Sequence, residues 1–215
     1  MITVVGSLKG GTGKSTVSFN LAVWLAVHDF PVDVYDLDPQ ATLQDVAEIR
    51  EEEGYEPTLQ VSDDLSGLKR SRAAGREVII DVGTANMAGL EEAVQQADRV
   101  IIPVPPSQAD VWSTQRFIDI VERAVRTKKK RRPELLAFIN RADTNPAVRE
   151  TAETQEALRQ LDGLKFVTAR LGQRTTFRRS FSEGLAVFEL EPRSKAAAEM
   201  NALATVLFST LFIQG

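Results

Sequence analysis

The residues best equipped for chemistry lie near the start of the chain. Lys9-Gly10-Gly11-Thr12-Gly13-Lys14-Ser15-Thr16 follows a β-branched run, Ile2 to Val5, and precedes an apolar stretch containing Phe19, Leu21, Ala22, Trp24 and Leu25. Glycines let such a loop wrap around phosphates with its backbone N–H groups pointing inward, and a helix N-terminus adds partial positive charge. In this reading Lys14 reaches the β- and γ-phosphates of a nucleotide and the Ser15 hydroxyl ligates Mg²⁺. The GxxxxGK[ST] pattern is complete except at its first position, which is Leu8. Further along, Asp36 and Asp38 close a second apolar run, Val34-Tyr35-Asp36-Leu37-Asp38-Pro39-Gln40. Two residues apart on an extended segment, they share a face. A third run, Val78-Ile79-Ile80-Asp81-Val82-Gly83, delivers another acid, suited to Mg²⁺, and a glycine that leaves the next loop free to respond to a γ-phosphate.

The elements that must position these groups are legible in the periodicity. Short apolar runs predict strands at Ile2 to Val5, Val32 to Tyr35, Thr58 to Val61, Val78 to Val82, Val100 to Val104, Leu135 to Ile139 and Phe166 to Thr168. Helical patterns alternate with them near 15 to 28, 41 to 53, 66 to 74, 87 to 97, 110 to 127, 148 to 161 and 194 to 212. This alternation implies an α/β fold, a parallel-stranded sheet with helices on both faces, in which ligands bind beyond the carboxyl ends of the strands. A chain of 215 residues without a Gly/Ser linker or internal repeat reads as one domain over 1–215.

Lys9, a second lysine at the entrance of the loop, makes the motif resemble the deviant Walker A of the ParA/MinD group of P-loop NTPases, which have the SIMIBI-type fold. The resemblance extends through Asp36-Leu37-Asp38-Pro39-Gln40, Ile101-Ile102-Pro103-Val104-Pro105-Pro106-Ser107, Phe138-Ile139-Asn140-Arg141, and Gly184-Leu185-Ala186-Val187-Phe188-Glu189 with Pro192-Arg193-Ser194. It implies ATP and Mg²⁺ as cofactors. Lys9 would contact the phosphates of a partner subunit in an ATP-dependent sandwich dimer, and Asp38 would orient the attacking water. Asp36 would meet a Mg²⁺-bound water, and Ser15 and Asp81 would hold the metal. Asn140, with Arg141 beside it, would read the adenine edge, an amide being both donor and acceptor; a turn or capping role suits an asparagine there equally. Prolines often follow the third aspartate in this group, whereas Thr84-Ala85-Asn86 stand here.

Composition narrows the alternatives. Without cysteine and with His28 as the only histidine, thiolate metal sites, iron–sulfur clusters and multi-histidine zinc sites are excluded. The same absence sets aside nitrogenase iron proteins and arsenite-pump ATPases within the group. Net charge is −4, but it is unevenly spread. Asp36 to Asp64 holds ten acids and one arginine, whereas Lys165 to Ser180 holds Lys165, Arg170, Arg174, Arg178 and Arg179 with no acid. Arg174, Arg178 and Arg179 are candidates for sequence-neutral contact with DNA phosphates, and ParA proteins commonly bind DNA from this region. Lys128, Lys129 and Lys130, with Arg131 and Arg132, form a second candidate patch; a solvated helix end is their other reading.

The chain begins directly on a strand, so neither a signal peptide nor an N-terminal helix-turn-helix domain is expected. The C-terminal stretch from Ala196 has no basic residue, which argues against a MinD-like membrane helix. The expected protein is a cytoplasmic, nucleoid-associated ATPase of weak intrinsic activity. It dimerises on ATP, binds nonspecific DNA, and distributes a plasmid, chromosome or protein body such as a carboxysome when a small adaptor stimulates hydrolysis. A nucleotide-gated scaffold or a membrane-associated MinD-like switch with little turnover is the alternative.

Overall fold

The computed structural model describes residues 1–127, 131–145 and 147–212. A seven-stranded sheet, parallel throughout, has the order β3-β2-β4-β1-β5-β6-β7. The strands are β1 (Ile2–Gly6), β2 (Val32–Asp36), β3 (Val61–Ser62), β4 (Glu77–Val82), β5 (Arg99–Val104), β6 (Glu134–Ile139) and β7 (Lys165–Phe166). The helices are α1 (Lys14–Val27), α2 (Thr42–Glu52), α3 (Leu68–Ala73), α4 (Met87–Gln96), α5 (Gln108–Thr127), α6 (Glu150–Arg159), α7 (Thr175–Ser182), α8 (Val187–Leu190) and α9 (Lys195–Leu207), with a final 3₁₀ turn at Ser209–Phe212.

The central strands are apolar without alternation because both faces are covered. Val5, Ile79 and Ile101 point into one core, with α1, α2 and α7 to α9; Val4, Ile80 and Ile102 point into the other, with α3 to α6. Helix α1 is enclosed on nearly every side, and Phe19, Leu21, Ala22 and Leu25 are fully buried.

Two helices, α7 and the short α8, are not visible in the periodicity. The basic stretch after Arg174 folds as α7, whose Phe177 and Phe181, four residues apart, pack on the α1 side of the sheet. The expected C-terminal helix stops at Leu207 rather than running to 212. The third and seventh strands are shorter and shifted, Val61–Ser62 and Lys165–Phe166, because each is an edge strand paired on one side only.

Strands β2 and β3 leave β1 on one side, and β5 to β7 leave it on the other, with β4 inserted between β2 and β1. The carboxyl end of β1 is therefore the centre of the crevice where a ligand of such a sheet sits.

Candidate nucleotide site

The glycine-rich loop leaves β1 at Gly6 and returns as α1 at Lys14. Gly11 (φ 73°) and Gly13 (φ 90°) take left-handed backbone that other residues adopt only at a cost. The turn is braced from within, Ser7 Oγ lying 3.1 Å from the Lys9 carbonyl and 2.9 Å from Thr12 Oγ1. It is also braced from β6, where Asn140 Nδ2 donates to the Thr12 carbonyl at 2.6 Å. A Cβ at Gly13 would come within 2.5 Å of that same Asn140 nitrogen. Lys14 and Ser15 thus open a helix whose N-terminal amides face the crevice, and Lys14 is buried there. Gly10 and Gly11 lie at the exposed tip of the loop.

Parallel pairing sets Asp36 of β2 beside Asp81 of β4. Their surroundings differ. Both oxygens of Asp36 are taken up by backbone amides, of Asp38 at 3.0 Å on one, and of Leu43 and Gln44 at 2.9 and 3.2 Å on the other. Asp36 therefore ties the loop after β2 to the start of α2, and burial nevertheless raises its pKa. Asp81 accepts one bond on Oδ1, from Ser18 Oγ at 3.2 Å, while Oδ2 is buried and unpartnered. Burial foremost, opposed by the neighbouring Ser15 hydroxyl and reinforced by the Asp36 charge, pushes the Asp81 pKa up to about 7.

Such an orphaned carboxylate oxygen next to a serine hydroxyl fits a cation. Among the described residues no group of three His, Asp or Glu side chains could hold a metal unaided. A site with one carboxylate and one hydroxyl suits Mg²⁺, which takes its remaining ligands from phosphate and water.

Asp38 follows β2 and lies against the loop after β4. A Cβ on Gly83 would fall 1.9 Å from Asp38 Oδ2, so the glycine is the vacancy that admits this carboxylate. Asn86 joins the same two loops: its Nδ2 donates to the Leu37 carbonyl at 3.1 Å while its Oδ1 caps α4 by accepting from Gly89 N at 2.8 Å. At Thr84-Ala85-Asn86, where this sequence departs from the prolines of the group it resembles, a capping asparagine does the connecting.

Lys9 is held within the chain, its Nζ 2.9 Å from Asp110 Oδ1. Asp110 is the fourth residue of the box Ser107-Gln108-Ala109-Asp110 that starts α5, its N–H donating to Ser107 Oγ at 3.1 Å. The S-x-x-D spacing was readable as a helix start, but not as the seat of Lys9.

Beyond the loop lies a cavity of about 330 Å³, lined by Thr16, Val17, Arg141, Gln173, Phe177 and Met200 among others. A lining that mixes apolar side chains, Val17, Phe177 and Met200, with polar ones, Thr16, Arg141 and Gln173, suits a nucleobase. Asn140 borders it, but its amide already serves Thr12 and, through Oδ1, the Arg141 N–H at 3.0 Å. The turn role of this asparagine is thus visible, and Arg141 sits beside it in left-handed backbone (φ 56°).

A CobQ/CobB/MinD/ParA nucleotide-binding domain model matches residues 3–187. The chain belongs to that family. It is 30% identical over 200 residues to maintenance of carboxysome distribution protein A of Halothiobacillus neapolitanus, spanning 91% of this chain and 90% of the relative. Protein ParA of Rhizobium radiobacter is 25% identical over 207 residues, 94% and 92% of the two chains. Among solved structures, the D38A variant of Cyanothece McdA in complex with ATP superimposes with a TM-score of 0.73 at 18% identity, over 97% and 96% of the chains. The ParA/MinD family consists of P-loop ATPases, and the parallel sheet and phosphate loop found here have its fold.

The basic candidates are distributed unequally. Arg174 makes a two-point pair with Glu199 of α9, at 3.0 and 2.6 Å, which raises its pKa. Arg179 pairs with Glu191 at 3.1 Å and Glu183 at 3.7 Å. Arg178 is exposed and, among the described residues, has no acidic partner. Lys128, Lys129 and Lys130 lie outside the described residues. His28 stacks on Trp24 with centroids 4.2 Å apart, a structural role. Among the described residues no helix is long and apolar enough to cross a membrane.

Proposed function

We propose that this protein is a ParA-type ATPase, one domain over 1–215, that forms an ATP-dependent sandwich dimer, binds nonspecific DNA as that dimer, and positions a cargo over the nucleoid through adaptor-stimulated hydrolysis. The observation that carries the reading is the convergence, in one crevice, of Lys14 at the head of α1, the unpartnered Asp81 oxygen, and Asp38 seated on Gly83. Lys14 and the loop amides bind the β- and γ-phosphates. Ser15 and Asp81 would hold Mg²⁺, which when bound offsets phosphate charge. Asp36 acts through position, fixing the loop that carries Asp38. Asp38 orients water for in-line attack, and Lys9, released from Asp110, neutralises phosphate charge in the partner subunit. The relatives named for carboxysome distribution and for ParA support a positioning or partition role. The absence of a membrane-crossing helix among the described residues is consistent with a cytoplasmic, nucleoid-associated protein.

Isothermal titration and electrophoretic shift test this together. Wild type should bind ATP and shift two unrelated duplexes alike, with ATP and not with ADP. Lys14→Ala should lose ATP affinity at least 100-fold, about 2.7 kcal/mol, and the ATP-dependent shift with it. Unchanged ATP affinity in Lys14→Ala would refute the site; equal shifts with ADP and ATP would leave a nucleotide-binding scaffold instead.

A further inference from the structure

Among the described residues the bulkiest side chain wholly removed from solvent is a charged one, Arg50 of α2. It is the single arginine of the acidic stretch from Asp36 to Asp64, with Glu48, Glu51, Glu52 and Glu53 close by in sequence. Its ion pair is with none of them. Arg50 instead sets a two-pronged fork on Glu189 of α8, 139 positions away, Nη1 donating to Oε2 and Nη2 to Oε1, both at 2.8 Å. Its remaining N–H groups donate to the carbonyls of Pro57 at 2.8 Å, Glu56 at 3.1 Å and Gly184 at 3.1 Å. All five guanidinium hydrogens are thereby used.

Burying such a pair is a poor way to gain stability, because desolvation of both charges offsets their attraction; what a fully satisfied fork supplies is a single geometry. Here that geometry is the heading of α2 against the joint between α7 and α8. Gly184 at the joint has φ 70°, and a Cβ on it would come within 2.7 Å of the Arg50 backbone nitrogen and 2.9 Å of its Cα, so the two backbones touch.

The same short segment also holds α1. Val187 N donates at 2.8 Å to Oδ1 of the buried Asn20, whose Nδ2 donates to the Thr16 carbonyl at 2.8 Å. Glu189 accepts in addition from Ala186 N at 2.7 Å, which locks its carboxylate to the start of α8. Residues 186 to 189 therefore clasp α1, the helix that opens with Lys14, on one side and α2 on the other. At its far end α2 is joined to Asp38, whose carbonyl accepts from Ala41 N at 2.8 Å, and to Asp36 through the amides of Leu43 and Gln44.

We infer that Arg50 is a positioning residue for ATP hydrolysis: through Glu189 it fixes the heading of α2, and with it the place of Asp38 relative to Lys14 and Ser15. The inference rests on the roles proposed above for those three residues. Helix α2 has 11 residues and is about 16 Å long. A tilt of about 4° at the Arg50 end moves the Asp38 end by about 1 Å, and a misplacement of about 1 Å far from the chemistry can cost about 100-fold in rate. Phosphate binding belongs to α1 and is spared.

The test is single-turnover phosphate release at saturating Mg-ATP, titrated ATP affinity and hydrogen exchange, all on the full chain. Arg50→Lys keeps the charge and the stem but replaces the fork by one point. Its turnover should fall at least tenfold while ATP affinity stays within about threefold of wild type. The amides of Asp38, Leu43 and Gln44 should exchange at least tenfold faster, and those of α1 at the wild-type rate, a selectivity that general loosening of the fold would not give. Glu189→Gln keeps the shape of the pair and removes its charge; it should give the same split, and it carries the test if Arg50→Lys does not fold. Turnover within about threefold of wild type in a folded variant, or binding and turnover falling together with exchange raised throughout, would overturn the positioning role. If neither variant folds, the pair is a requirement of folding alone, and the inference fails. A wild type that binds ATP without releasing phosphate overturns the ATPase reading itself, and this inference with it.

Discussion

The crevice at the carboxyl ends of β1, β2 and β4 and the surface of α7 are both rich in charge, yet the fold treats them oppositely. In the crevice a carboxylate oxygen of Asp81 is buried without a hydrogen-bond partner among the described residues, and Lys14 is buried at a helix N-terminus. On α7 the arginines are mostly answered: Arg174 by Glu199, Arg179 by Glu191 and Glu183. Charge that a chain could neutralise for itself, but does not, is free energy held for a ligand; charge already paired is mainly architecture. Within the crevice the same contrast separates Asp36, which accepts from three backbone amides, from its neighbour Asp81.

The largest effect expected from this contrast is on stability in the absence of nucleotide and Mg²⁺. The Asp81 carboxyl has a pKa of 3.8 as a free side chain and about 7 in the fold. Between those values the folded state keeps a proton that the unfolded chain has lost, so stability falls as pH rises from about 4 to about 7. Asp81→Asn removes the titration. The variant should therefore be more stable than wild type at pH 8, by at most about 4 kcal/mol from three pKa units, and the advantage should vanish below pH 4. Urea unfolding across this range measures it. Equal stability at pH 8 would mean that Asp81 is satisfied within the chain, and the contrast with α7 would collapse.

Much of the crevice was legible because its determinants are local. Lys14 and Ser15 stand where strand, glycine turn and helix must put them, and Asp36 and Asp81 each close an apolar run whose strand assignment fixes their end of the sheet. What spacing cannot convey is which residue answers which across the fold. The Lys9–Asp110 pair spans 101 positions of sequence, and Asn140 braces Thr12 across 128. Glu199, which occupies Arg174, lies 25 positions further on, in α9. Helix α7 is hard to see in the sequence because Phe177 and Phe181 are its only apolar residues, too few to set a helical period.

A smaller effect is expected at the contact between the two loops of the crevice. Because a methyl at Gly83 would overlap the Asp38 carboxylate, Gly83→Ala must displace Asp38. Neither group is assigned to phosphate binding, so ATP affinity should remain within a few-fold of wild type. Turnover should drop at least tenfold, about 1.4 kcal/mol in activation free energy. Steady-state phosphate release compared with titrated ATP affinity separates the two. Loss of binding with turnover preserved per bound nucleotide would place Gly83 in binding rather than in the alignment of Asp38.

The smallest effect belongs to α7, and it divides the arginines that sequence grouped together. If the proposed dimer binds duplex DNA through this helix, Arg178, exposed and without an acidic partner among the described residues, contributes one phosphate contact per subunit, whereas Arg179 must first leave Glu191 and Glu183. Arg178→Glu should therefore reduce affinity several-fold for any duplex and flatten the slope of log affinity against log salt by about 2 per dimer. Arg179→Glu should do less, since it removes a charge that the fold has already offset, and it should cost some stability by setting a third carboxylate beside Glu183 and Glu191. Shift assays at several salt concentrations with ATP, paired with thermal melts, distinguish the outcomes. Equal slopes for both variants would show that DNA phosphates outcompete the acidic partners, and the line between held and answered charge would then have to be drawn elsewhere on the molecule.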